Sequence, residues 1–232
     1  KSKANAILQV FGVNITDGLS AAEQTLLVDK GILFDGTVQR NYTTTFNLYM
    51  GIFDFKTAYD QKSASDRTKI SQTLLILGII LSDNTINESD ITAFANEGVI
   101  LDASNAPRNV AVTLTLYTEV QNFKSAYDNF VTTPQGKQAI DAALLALGIN
   151  LADGAISKTD LLNMANNGVV LDSNNQPRDH VATLNFYVSQ ASLADAVQNF
   201  QTAYNALSSA YKSKANAILQ VFGVNIADGL ST

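Results

Sequence analysis

Two acidic stretches carry side-chain oxygens at spacings that a hard cation can use. DNTINESD (83–90) and DGAISKTD (153–160) alternate Asp, Asn, Ser and Thr as the start of a helix-flanked calcium loop does. The likeness stops there. Neither has Gly at the sixth position or a bidentate Glu at the twelfth, and the matching stretch near the N-terminus is one residue shorter. Helix capping uses the same residue types without an ion, and the reading adopted is caps, with no metal site.

Asp35, Asp102 and Asp172 precede Arg40, Arg108 and Arg178 by five or six residues. An Arg fork can hold a carboxylate or a carbohydrate. It can equally staple its own loop, which is the expectation here, and an exposed pair of that kind contributes only about 0–1 kcal/mol. His180, the only histidine, stands where Tyr42 and Val110 stand in the related segments. A general base or metal ligand needs convergent partners, and none recurs with it. Without Cys there is no thiol nucleophile, thiolate site or disulfide. No phosphate loop, Ser-His-Asp set or HExxH is present, and the sequons at Asn14, Asn41 and Asn87 are what abundant Asn, Ser and Thr produce by chance. No catalytic, cofactor-binding or metal residue is therefore assigned, no cofactor is implied, and the expectation is a protein that is not an enzyme.

The elements that would position such residues are repetitive. KSKANAILQVFGVNITDGLS (1–20) returns at 212–231 with Thr16 replaced by Ala227, a period of 211 residues. Inside it lies a weaker period marked by Gly12, Gly78, Gly148 and Gly223. The expected organisation is three helical units, 1–65, 66–135 and 136–211, with 212–232 beginning the next copy. Because the inner copies have diverged while the outer ones have not, the 211-residue block duplicates as a whole. The chain begins with Lys and reads as an excised piece of something longer.

Each unit opens with apolar residues at three- and four-residue spacing (KANAILQVFGVNI, TKISQTLLILGIIL, KQAIDAALLALGINL), which predicts a helix A. The Gly in its last turn suggests close helix packing. Ser20–Glu23 is a capping box and Asn87–Asp90 and Ser157–Asp160 are variants of it, predicting a short helix B that ends at Gly31, Gly98 and Gly168. Helix C follows a polar turn, with Pro107 and Pro177 expected in its first turn. Tyr49, Tyr117 and Tyr187 recur in register, as do Tyr59, Tyr127 and Tyr204, reading as core or interface with hydroxyls reaching water. TTPQG (132–136) must break the chain between units, whereas 179–226, free of Pro and with Gly223 alone, allows one helix of roughly 70 Å.

At 46% hydrophobic and 16% charged residues the chain is expected to fold. A net charge of −6 and a pI near 4.6 argue against nucleic acid and anionic membrane surfaces as partners. The longest apolar run, LLILGIIL (74–81), is too short to span a bilayer, so no membrane insertion is expected. The fold class expected is all-α: tandem three-helix units stacked end to end into an elongated rod. In organisation only, this resembles large bacterial surface proteins. The function expected is a structural stalk or spacer of an extracellular or cell-surface protein serving adhesion or assembly. Its partners would be neighbouring repeats of the same chain, head-to-tail copies of itself and a surface or host ligand that the sequence does not identify. The alternative is a helical binding module carrying an apolar or lipid-like ligand.

Helix C of the third unit is longer than its counterpart: Tyr117 and Phe123 are six apart, Tyr187 and Phe200 thirteen. Seven added residues advance a helix by about 700°, only about 20° short of two turns, so the apolar face is kept. Deleting 190–196 is expected to leave a folded, shorter protein. Deleting 190–194 should turn Phe200 and Tyr204 toward solvent, at roughly 1.5–3 kcal/mol for each buried aromatic, and equal melting temperatures for the two deletions would refute the packing constraint.

Overall fold

The computed structural model describes residues 1–83 and 85–224, and helix makes up 64% of the chain. The end of the expected fourth start, 225–232, lies outside the described residues. Helix A is α1 (Ser2–Leu8, continued by one tight turn through Phe11), α4 (Ala64–Ile76), α7 (Pro134–Ala146) and α10 (Ser209–Val221). Gly12, Gly78, Gly148 and Gly223 end these helices in the left-handed region, at φ of 77°, 74°, 73° and 73°. The next residue's N–H then reaches back five residues, as Ile79 donates to the Leu74 carbonyl at 3.0 Å and Ile149 to that of Leu144 at 2.9 Å. The recurrent Gly is thus a helix terminator at all four positions, and the close packing expected of it is found at two: an added Cβ at Gly12 would lie 3.3 Å from Leu26 Cδ1 of helix B, while at Gly78 and Gly223 nothing among the described residues lies within 4 Å. Only at Gly148 does a polar side chain also press close, an added Cβ lying 2.6 Å from Asn163 Nδ2.

Helix B is α2 (Ala21–Asp29), α5 (Glu88–Asn96) and α8 (Lys158–Asn166), and helix C is α3 (Tyr42–Asp60), α6 (Val110–Asn129) and α9 (His180–Ala206). Between B and C the chain makes a small hairpin that the sequence reading missed. In the first segment it is β1 (Phe34–Asp35) against β2 (Val38–Gln39). In the others it shrinks to single bridges, Leu101 to Pro107 and Leu171 to Pro177. The two prolines therefore precede helix C and do not lie in its first turn. The flanking bonds, Asp102 N–H to Ala106 O and Arg108 N–H to Ile100 O, leave no N–H demanded of Pro107, and Asn109 caps α6 two residues later.

The joins from helix C to the next helix A are short. Ser63 caps α4 and Thr133 caps α7, with Pro134 at the first helical position. A third break falls at Leu207 and Ser208, both extended, so the span 179–226 is not one helix. Up to that break α9 is continuous, insertion included.

α1 packs on α3, α4 on α6 and α7 on α9, while helices C contact one another in the order α3, α6, α9. α5 also lies on α3, and α8 on α6. One contiguous buried cluster runs from Ala4 to Leu184 through Phe55, Phe94 and Phe123, whose side chains are fully enclosed. Beyond Leu184 burial thins, with Tyr187 and Val188 still packed against the cluster and Tyr204 buried near the end of α9. Phe200 is 47% exposed although its counterpart Phe123 is fully buried, so the facing constraint on α9 acts through Tyr204, which is buried, and not through Phe200.

Gly51 of α3 marks the tightest contact between successive segments, because a Cβ there would overlap the Ile100 side chain. Replacing Gly51 with Val is expected to destabilise by about 1–3 kcal/mol through overpacking. A lowered denaturant midpoint, partly restored by adding Ile100→Ala, is the result expected. A midpoint unchanged from the parent would mean the contact yields freely.

Candidate functional site

The acidic residues singled out above are structural. In each segment the carboxylate at the third position of helix B accepts two backbone N–H groups, one from the helix's own cap residue and one from the strand leaving helix A. Asp90 takes Asn87 N–H at 3.0 Å and Ile80 N–H at 2.8 Å; Asp160 takes those of Ser157 and Asn150 at 2.8 and 2.6 Å. Glu23 takes those of Ser20 and Asn14 at 2.9 and 2.8 Å. Each is also half of a capping box. Asp90 and Asp160 are buried, so their charge rests on these donors and on the helix N-terminus. Asp83 and Asp153 close their own turns, accepting from Thr85 and Ala155 N–H. Among the described residues no three His, Asp or Glu side chains converge.

The Asp and Arg pairs divide their labour. Arg40, Arg108 and Arg178 each donate Nε–H to the carbonyl of the glycine that ends helix B, Gly31, Gly98 and Gly168, at 2.6–2.7 Å. Asp102 and Asp172 turn instead to the N–H groups of their own loops, Ser104 and Ala106 in one and Asn174 and Gln176 in the other. Among the described residues only Asp35 and Arg40 form the ion pair itself, at a loose 3.9 Å. The staple exists, but it runs from guanidinium to backbone.

His180 lies at the contact of α6 with α9, its Nε2 2.8 Å from Glu119 Oε2 and its ring edge-on to Phe123. Nδ1 is buried without a partner among the described residues. The tyrosine hydroxyls at the ends of the C helices bond protein groups. Tyr59 bonds Ser71 at 2.6 Å, Tyr127 donates to Asp141 at 2.6 Å and Tyr204 to Asn216 at 2.8 Å, so each reaches across a join to the next helix A.

Two open clefts of similar size recur between successive segments, about 540 Å³ beside Arg40 and about 520 Å³ beside Arg108. Thr44, Thr45 and Leu48 face Asn96, Asp102 and Asn105 in the first, and Val112, Thr113 and Leu116 face Asn166, Asp172 and Asn175 in the second. Both linings mix hydroxyl, amide and guanidinium groups with carboxylates, Glu97 and Asp102 in the first and Asp102 and Asp172 in the second. No protein-family model, no curated protein and no solved structure matches this chain.

The clamp makes two predictions. Replacing Asp160 with Ala leaves two backbone donors unpaired and is expected to destabilise by about 3 kcal/mol, while Ser157→Ala, which keeps the carboxylate, should cost about 1 kcal/mol in the same chemical denaturation. The Ser20 hydroxyl, then the N–H groups of Asn14 and Ser20, hold the Glu23 carboxyl below its usual range; the Ser104 hydroxyl and the Ala106 N–H do the same for Asp102. A depressed folded value stabilises above the unfolded value and is lost as pH falls through the folded one. The melting temperature should therefore be insensitive to these groups above about pH 5 and fall with acidification below about pH 4, and a flat profile down to about pH 2 would refute the assignment.

Proposed function

We propose that this chain is a structural spacer: slightly more than one period of a tandem array of three-helix units, 1–65, 66–135 and 136–211, stacked end to end into an elongated rod. The observation that carries the reading is the recurrence of one join. Tyr59, Tyr127 and Tyr204 each bond the following helix A, and the third of these bonds ties on α10, whose sequence from Lys212 is that of the N-terminus. The exit from the third unit thus has the form of the exits from the first two, as propagation of an array requires.

Two further features support it. Lys30, which closes α2, pairs with Glu88 at the start of α5, and Glu97, which closes α5, pairs with Lys158 at the start of α8, so the B helices follow one another end to end. The accessible surface is 13257 Å², against about 10,200 Å² for a compact monomer of this mass. The role proposed is mechanical, in an extracellular or cell-surface setting where arrays hold a terminal domain away from an attachment point. The alternative of an apolar-ligand carrier has less support, because Phe55, Phe94 and Phe123 fill the interior where a carrier would keep a cavity. Stoichiometric ligand in native mass spectra of the purified protein would reverse that preference.

A protein carrying two copies of residues 1–211 should nearly double the maximum dimension measured by small-angle scattering. The single copy should exceed the radius of gyration of about 17 Å expected for a globule of this length. A single copy at that value, with two copies growing only as a compact body grows, would overturn the rod.

A further inference from the structure

α10 and the second half of α9 present an apolar face that nothing among the described residues covers. Ile218 is 63% and Phe222 76% exposed, yet the same residues in the N-terminal copy, Ile7 and Phe11, are 2% and 9% exposed. That difference identifies the missing partner, because the groove that receives this sequence is visible: α1 lies on α3, its Ile7 and Leu8 buried, Phe11 6.2 Å from the Tyr49 ring and Lys3 paired with Asp54 at 2.6 Å. We infer that copies of this 232-residue chain associate head to tail in an open series, α10 of each displacing α1 of the next from its α3. The inference deepens the array reading and rests on it, naming a second copy as the partner.

Identical side chains make the exchange of contacts nearly neutral, so direction comes from what differs. The difference lies in what docking covers beyond the helix itself. Docking brings together two ends that are otherwise bare. At the leaving end, Val197 and Phe200 are exposed where Val120 and Phe123 are fully buried. At the receiving end, Phe46 is 40% exposed where Leu114 and Leu184 are fully buried. The charges at the new joint do not conflict, since Asn167, which closes α8, would face Ala21, which opens α2. Covering these side chains supplies the net driving force.

The absence of Cys allows a direct test in the intact chain. Lys214 occupies the position of Lys3, so in the exchanged pair it lies beside Asp54 of the partner subunit. The variants Lys214→Cys and Asp54→Cys, mixed and treated with a short bis-maleimide, should give a linked dimer whose yield rises with concentration. Neither variant alone should do so. In parallel, light scattering should show the parent chain rising with concentration from 24.8 kDa through twice that mass and beyond, because each pair keeps one free α10 and one receiving α3, and Ile218→Asp with Phe222→Asp, both exposed in the monomer, should hold it at the monomer mass with its helical spectrum unchanged. Monomer mass at every concentration overturns the inference, as does a dimer in which the two introduced thiols fail to link or one that survives the double substitution. Scattering by the monomer still judges the array separately, so a failed exchange and a failed rod are told apart.

Discussion

A carboxylate shared between two backbone segments is what the rest of this structure depends on. Helix B has nine residues in each segment, too few to be stable alone in water, and its first turn leaves N–H groups without partners. The acid at its third position fills one of those vacancies and, with its other oxygen, holds the N–H of the second residue past the glycine that ends helix A. The end of A and the start of B are thereby fixed to the same group, and in the second and third segments, where Asp90 and Asp160 are buried, neither can move without leaving a buried carboxylate short of a donor. The first segment has a turn one residue shorter and uses Glu23 where the others use Asp90 and Asp160. One added methylene spans what the shortened turn no longer does, so the bonds persist although the residue and the spacing have both changed.

The joins follow the same economy. A Ser or Thr starts each new helix A after a break of two to four residues, and a tyrosine from the end of helix C bonds that helix about two turns in. Because the tyrosine ring is buried while its hydroxyl crosses the join, packing within one segment and the angle to the next are set by a single side chain. The partner varies between Ser71, Asp141 and Asn216, so what is held in common is a short polar group at one helical position.

What could be read beforehand was local. Caps, left-handed glycines and apolar spacing act over three to five residues, and they placed helices A, B and C and the break at Thr133 and Pro134. The groups that escaped reading act across longer spans. Nothing near Arg108 says that its Nε will meet a carbonyl ten residues back, and an Asp at a suitable distance made the ion pair the more obvious partner. The hairpin between B and C left a faint trace in Asp35-Gly36, but in the other segments its turn is made by Asn105 and Asn175 at φ of 64° and 59°, residues that serve caps and loops equally. The break at Ser208 was hidden because no Pro or Gly marks it. The pairing of His180 with Glu119 lay beyond reach, since Glu119 corresponds to Gly51 and Ser189 and no recurring pattern announces it.

The ends of the B helices carry a further constraint on how such segments follow one another in the proposed array. Lys30 meets Glu88 at the first joint and Glu97 meets Lys158 at the second, with the order of sign reversed. Each exposed pair contributes only about 0–1 kcal/mol, so attraction is the lesser part of its effect. The greater part is what the reversal forbids. Leaving out the second segment would bring Lys30 to Lys158, and doubling it would bring Glu97 to Glu88, like charges at the close approach that now holds an ion pair. The third segment ends in Asn167 and the first begins with Ala21, so the joint between whole periods carries neither attraction nor repulsion. Divergence of the segments therefore has a physical counterpart: the second can be neither lost nor doubled without penalty, while the block of three can be repeated freely.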